Sequence, residues 1–264
     1  MTSSEARAVT VPRVVAAEWT KVVSLPSTPW LLAGTVCAAA FLAFVLGLFV
    51  GPGDAVSGTS LAGSGHLLAQ LGLLVLGVLV GSTDFAVGTS LTTYAAVPRR
   101  LPVLLAQVAL TGALALATGL VAIAASLAVT AGTRRTAGLS WSTADPADLR
   151  TAAGYVLFLT GAAVCGVLLG ALLRRPLAAL AAAVALFVLL DQLLAPHPGR
   201  VADTVRALLP SSGTRLFADD AQLAALAAGH GPHLGAAGGG LVLAAWCAAL
   251  AVLAGYRLVR RDVS

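Results

Sequence analysis

An ATP-hydrolysing phosphate loop needs G-x-x-x-x-G-K-[ST], because glycine backbone amides and one lysine together cradle the phosphates. This chain has a single lysine, Lys21, in Glu-Trp-Thr-Lys-Val-Val with no glycine ahead of it. Nucleotide hydrolysis by such a loop is excluded, and the chain is expected not to be an enzyme. His230 and His233, in His-Gly-Pro-His, are spaced so that two ligands could share a metal, but Gly-Pro breaks a helix and no third ligand accompanies them. No resident metal or cofactor is expected. Neither H-E-x-x-H nor G-x-S-x-G occurs, which removes metalloprotease and serine-hydrolase chemistry. Cys37, Cys165 and Cys247 lie in apolar runs without CxxC spacing, so neither a disulfide framework nor a zinc site is indicated.

Two places retain functional interest. Asp191 sits inside an apolar run, Phe-Val-Leu-Leu-Asp-Gln-Leu-Leu-Ala-Pro, and an ionisable residue within a membrane span is a functional candidate by default. It lies about 7 Å of helix rise from Pro196, close enough to snorkel to the interface; a proton-coupling role is the sharper alternative. The stretch 84–100, Asp-Phe-Ala-Val-Gly-Thr-Ser-Leu-Thr-Thr-Tyr-Ala-Ala-Val-Pro-Arg-Arg, repeats polar or small residues every four positions at Asp84, Gly88 and Thr92. A short helix would present them on one face. Pro98 ends that helix, and Arg99 with Arg100 reaches the headgroups. A solvated turn with two stop-transfer arginines is the plainer reading.

Positioning these residues falls to a chain built for lipid. Of 264 residues, 58% are hydrophobic and 10% charged, with a mean hydropathy of +0.93, whereas soluble domains carry about 25% charged residues. A water-facing surface cannot be covered with so few charges, which excludes a soluble enzyme and a free nucleic-acid-binding module. The net charge of +5 then reads as the positive cytoplasmic face of a membrane protein rather than a nucleic-acid footprint. A bilayer core about 30 Å thick takes about 20 helical residues, and six stretches qualify: 30–50, 61–83, 101–133, 151–173, 177–195 and 234–256. Asp191 is the only formal charge inside them. The third is too long for one perpendicular helix, so it tilts, kinks or projects. Five G-x-x-x-G pairs occur (Gly47/Gly51, Gly77/Gly81, Gly166/Gly170, Gly231/Gly235, Gly235/Gly239), where about three are expected by chance, so no packing face is assigned from them.

The first 29 residues hold Glu5, Arg7, Arg13, Glu18 and Lys21 without a continuous apolar core or an A-x-A site, so the first span is expected to act as the insertion anchor. Residues 11–25 suit an amphipathic interface helix, with Val11, Val15, Trp19 and Val22 on the apolar side and Arg13, Ala17, Thr20 and Ser24 opposite. With the N-terminus cytoplasmic, ten basic residues fall in the inner segments and six in the outer loops, which gives an N-in, C-in topology. The connection 196–233 contains Val-Ala-Asp-Thr-Val-Arg-Ala-Leu-Leu and Phe-Ala-Asp-Asp-Ala-Gln-Leu-Ala-Ala-Leu-Ala-Ala. Both have helical spacing but are too short and charged to span, so they are expected at the outer leaflet. The chain thus reads as one all-α integral membrane domain, 1–264, with six transmembrane helices.

Two stretches resemble a family, the ABC-2 type ABC transporter permeases. Glu18-Trp19-Thr20-Lys21, followed by Ser24, Ser27, Thr28 and Trp30, is similar to the start of such permeases. Asp84-Phe85, Gly88-Thr89, Thr92-Thr93 and Val97-Pro98-Arg99-Arg100 are similar to their motif after span two. This chain has Val23 and Pro26 where members often carry basic residues, Asp84-Phe85 in place of Glu-Tyr, and Gln107 in place of a basic residue early in span three. The resemblance implies a bacterial plasma-membrane exporter subunit whose ATP and Mg are bound by a separate ABC ATPase. It also implies a second permease copy or sister permease. Coupling to the ATPase falls to Glu18, Trp19, Lys21 and the 84–100 loop, in which Asp84, Phe85, Gly88, Thr89, Thr92, Thr93, Pro98, Arg99 and Arg100 carry the motif. A non-transporting scaffold or immunity protein is the alternative, with a secondary transporter third.

Overall fold

Capping residues set where the helices of this chain begin and end. In the computed structural model, which describes residues 11–24, 26–53, 56–86 and 100–260, they are α1 (Val11–Ser24), α2 (Ser27–Gly47), α3 (Gly58–Gly63), α4 (His66–Ala86), α5 (Arg100–Val129) and α6 (Ala131–Ala137), followed by α7 (Pro146–Leu173), α8 (Pro176–Leu194), α9 (Arg200–Leu208), α10 (Asp220–Ala227) and α11 (Ala236–Arg260). No strand occurs among the described residues. The Ser57 hydroxyl accepts the Ser60 N–H at 3.0 Å to start α3, and Asp145 accepts the Ala147 N–H at 2.9 Å ahead of Pro146 to start α7. Asp219 and Gln222 close a reciprocal capping box on α10. Between α7 and α8 the chain turns in two residues. Arg174 takes a left-handed conformation (φ 58°) that satisfies the helix end, and Arg175 is extended ahead of Pro176.

Five helices are long and apolar enough to cross a membrane: α2, α5, α7, α8 and α11. The expected second span begins five residues late, at His66, because Ser64 and Gly65 turn between α3 and α4. Its apolar part with described side chains, His66–Ser82, is shorter than the other five. The expected third span ends at Val129 instead of 133: the Thr130 hydroxyl bonds back to Ser126 O at 2.7 Å, and the chain restarts as α6. Even so, α5 has 30 residues, about 45 Å of rise, so it tilts or projects.

Helix α7 is the hub. Two thirds of its most apolar window is buried, and Tyr155, Phe158, Leu159 and Leu168 are sealed inside. It packs against α4, α5, α11 and α8. At the extensive α4–α7 contact, two G-x-x-x-G pairs meet. A Cβ on Gly166 would stand 2.9 Å from Leu74 O and one on Gly170 2.8 Å from Val78 O, while Gly77 and Gly81 abut the Ala163 and Val167 carbonyls. Backbones approach this closely only where side chains are missing. Sequence counting assigned these pairs no face; the structure pairs two of them within one chain.

The outer connection also differs from expectation. Its two helical stretches are α9 and α10, but the part that enters the bundle is the segment between them, a 3₁₀ turn at Pro210–Leu216. Pro210, Ser211, Ser212, Gly213 and Arg215 are buried against α7 and α11. A Cβ on Gly213 would sit 2.9 Å from Phe158, so this turn plugs the bundle.

Candidate functional site

Two polar clusters lie at opposite ends of the helices. At one end, α1 rests on the first turns of α5, with Val14 among Val103 and Ala106. Its buried positions are Val14, Glu18 and Val22, four apart, while Val15, Trp19 and Val23 form an exposed apolar stripe. The expected single apolar face is therefore two: Val22 belongs to the side facing the bundle, and Trp19, 48% exposed, to the side facing outward. Glu18 is 4% exposed. It accepts from Lys21 Nζ at 2.6 Å and from Gln107 Nε2 at 3.2 Å, so a carboxylate on a surface helix is anchored to α5. A cavity of about 220 Å³ opens beside these three residues, closed by Leu31 of α2 and Leu76 and Leu79 of α4.

Of the other expected coupling residues, Asp84 and Phe85 fall in the last turn of α4 and Arg100 opens α5. Gly88, Thr89, Thr92, Thr93, Pro98 and Arg99 lie outside the described residues.

At the other end, α8 contains a π-helical turn, Ala185–Leu189. One extra residue in a turn shifts the face on which everything after it emerges, and such turns recur at functional sites. Gln70 of α4 donates to Phe187 O at 3.4 Å within this turn. Asp191, two residues past its end, pairs with Arg206 of α9, Oδ1 to Nε at 3.0 Å. The lone intramembrane charge of the sequence therefore has a partner fifteen residues on, and snorkelling is not its only means of stabilisation. Asp191, Gln70, Ser211, Thr214 and Arg215 border a cavity of about 740 Å³ whose other walls include Leu46, Leu61 and Phe187. A second cavity of about 370 Å³ adjoins it and shares Asp191, Ser211, Thr214 and Arg215. His66, at the start of α4, stacks beside Phe217 with ring centres 5.1 Å apart.

Sequence reasoning missed Arg206, Gln70, Ser211 and Arg215 at this end. Gln70 carried a readable signal, being an amide inside an apolar span; Arg206 sat in a short helical stretch assigned to the outer leaflet, and Ser211 and Arg215 in what looked like loop. It also missed Cys165 and Cys247, on α7 and α11, whose sulfur atoms lie 3.4 Å apart as free thiols. Comparison with protein-family models, with curated proteins and with solved structures gives no match for this chain.

Proposed function

We propose that the chain is the membrane-spanning permease subunit of an ABC-2 type exporter, driven by ATP hydrolysed in a separate ATPase subunit. The observation that carries this reading is the Glu18 cluster, which fixes an amphipathic surface helix to a long membrane helix through a buried carboxylate. A helix so attached can pass a push at the membrane surface into the bundle. In this reading α4, with 21 residues and about 31 Å of rise, is the sixth span, both termini are cytoplasmic, and two permease copies, or this chain and a sister permease, work in a bacterial plasma membrane. ATP-driven closure of the paired ATPases presses on α1 and the 84–100 loop. That shifts the bundles from inward-open to outward-open because the ATPase interacts differently with the two states. The cargo is lipophilic or amphiphilic.

The test is to tag the chain, extract it gently from its own membranes and identify stoichiometric partners by mass spectrometry. Recovery of a soluble Walker-A ATPase at about one copy per permease is expected; its repeated absence from intact, inserted chain moves the assignment to a scaffold or immunity protein. In the reconstituted complex, Arg99→Ala with Arg100→Ala should lower coupled ATPase activity while insertion is unchanged. Normal coupling in that variant removes the loop from the mechanism.

A further inference from the structure

The 740 Å³ cavity lies within the size range of small-molecule sites, about 300–1,000 Å³, and its charges are unevenly matched. Asp191 is taken by Arg206 at 3.0 Å. In the adjoining cavity, Asp203 is taken by His230, whose backbone N–H donates at 2.9 Å. Arg215 has no carboxylate in ion-pair range among the described residues. Its Nη1 donates to Leu234 O at 2.7 Å, which uses one of five guanidinium donors, although the residue is only 9% exposed. Burial first, and then the nearby Arg206 charge, lower its pKa against the pull of Asp191; a guanidinium stays cationic all the same.

Beside it, the Ser211 hydroxyl is buried with no hydrogen-bond partner, in a residue 7% exposed that lines both cavities. An unmatched hydroxyl in the interior is destabilising unless something occupies it. The same cavity has hydrocarbon walls from Leu46, Leu61, Phe187 and Leu226, of which Leu46 and Leu226 are 40% and 41% exposed. The space therefore combines a cation and an unmatched hydroxyl with extensive hydrocarbon wall, and Ser60, Gln70, Thr214 and Gln222 add neutral polar groups to its lining.

We propose that this cavity binds one amphiphile with a phosphate or carboxylate headgroup. Arg215 takes the oxyanion by charge-assisted hydrogen bonds, Ser211 adds a neutral one, and the apolar walls hold the hydrocarbon chain. The site needs no ATPase, so its failure and the failure of the exporter reading are separate events.

The experiment uses the full chain in neutral maltoside micelles, with hexadecyl phosphate as the probe. Saturable binding at one site per chain is expected. Arg215→Gln should weaken it by about tenfold or more, Arg215→Lys by less, and Ser211→Ala by severalfold. Because Arg215 also holds Leu234 O, Arg215→Gln alone could act through the fold. Leu226→Trp adds bulk to the cavity wall without removing a hydrogen bond and should weaken binding independently. Hexadecyltrimethylammonium should fail to compete. Equal competition by that cation, or unchanged binding in both Arg215→Gln and Leu226→Trp, overturns the proposal. Competition by inorganic phosphate at the same concentrations also overturns it, because the ligand would then be a free oxyanion.

Discussion

Buried carboxylates persist where their partners are fixed, and Glu18 has one partner on its own helix and one on α5. The i,i+3 spacing of Glu18 and Lys21 was readable in the sequence; Gln107, 89 residues away, was visible only as a departure from a family pattern. Removing Gln107 leaves a buried charge with a half-exposed lysine as its remaining partner. Gln107→Leu should therefore cost about 1–2 kcal/mol, while Glu18→Leu with Gln107→Leu should recover much of that, since two apolar groups replace both polar ones. Thermal unfolding of the four proteins in detergent measures the cycle, and strict additivity would mean that no such bond exists. Asp191 behaves differently. Its pair with Arg206 is about one third exposed on each side, so solvent screening keeps its worth below about 1 kcal/mol. Asp191→Asn should accordingly leave the fold nearly unchanged, and loss of gradient-driven transport in that variant would identify a proton site instead.

Hydropathy revealed the helices because a run of 20 apolar residues is a local property, whereas the contacts between helices are not. Five G-x-x-x-G pairs looked alike in sequence, and only Gly77/Gly81 and Gly166/Gly170 face each other across α4 and α7. The contrast makes a test. Gly81→Ala puts a methyl group into the Val167 backbone and should cost about 2 kcal/mol or prevent folding. Gly34→Ala, on α2 with nothing within 4 Å, should be neutral or stabilise by up to about 1 kcal/mol through helix propensity. Similar effects at both positions, measured by thermal unfolding, would disprove the α4–α7 packing. The π-helical turn of α8 and the buried 3₁₀ turn were illegible for a related reason. The first is a one-residue insertion inside an uninterrupted apolar run, and the second is a polar stretch, Pro-Ser-Ser-Gly-Thr-Arg, that composition alone places in water. The α7–α11 contact has its own check: copper–phenanthroline oxidation in membranes should join Cys165 to Cys247 within one chain and so block maleimide labelling of both after denaturation. Continued labelling would separate the two helices.

Taken whole, the molecule has one helix buried among the rest, with large apolar side chains such as Phe41, Leu177, Leu241 and Val252 exposed on the other helices, as a lipid-embedded bundle requires. The ends of that bundle can be told apart by following contacts. Helix α1 lines one cavity together with Leu79 and Val80 of α4, and the next residue, Gly81, meets Val167 near the end of α7. The α7–α8 turn at Arg174 and Arg175 therefore lies at the same end as α1. The start of α7 lies about 42 Å of helix away from it, given 28 residues. A positive-inside reading puts α1 and the two arginines in the cytoplasm. With the three native cysteines replaced by serine, Arg175→Cys should react with an impermeant maleimide only after the cells are permeabilised, whereas Thr143→Cys, exposed just before α7, should react in intact cells. The reverse pattern would invert the topology and take α1 away from any cytoplasmic ATPase. Labelling of both from one side would mean that α7 does not cross the membrane at all, and with its hub returned to one side the bundle could no longer enclose a path between two compartments.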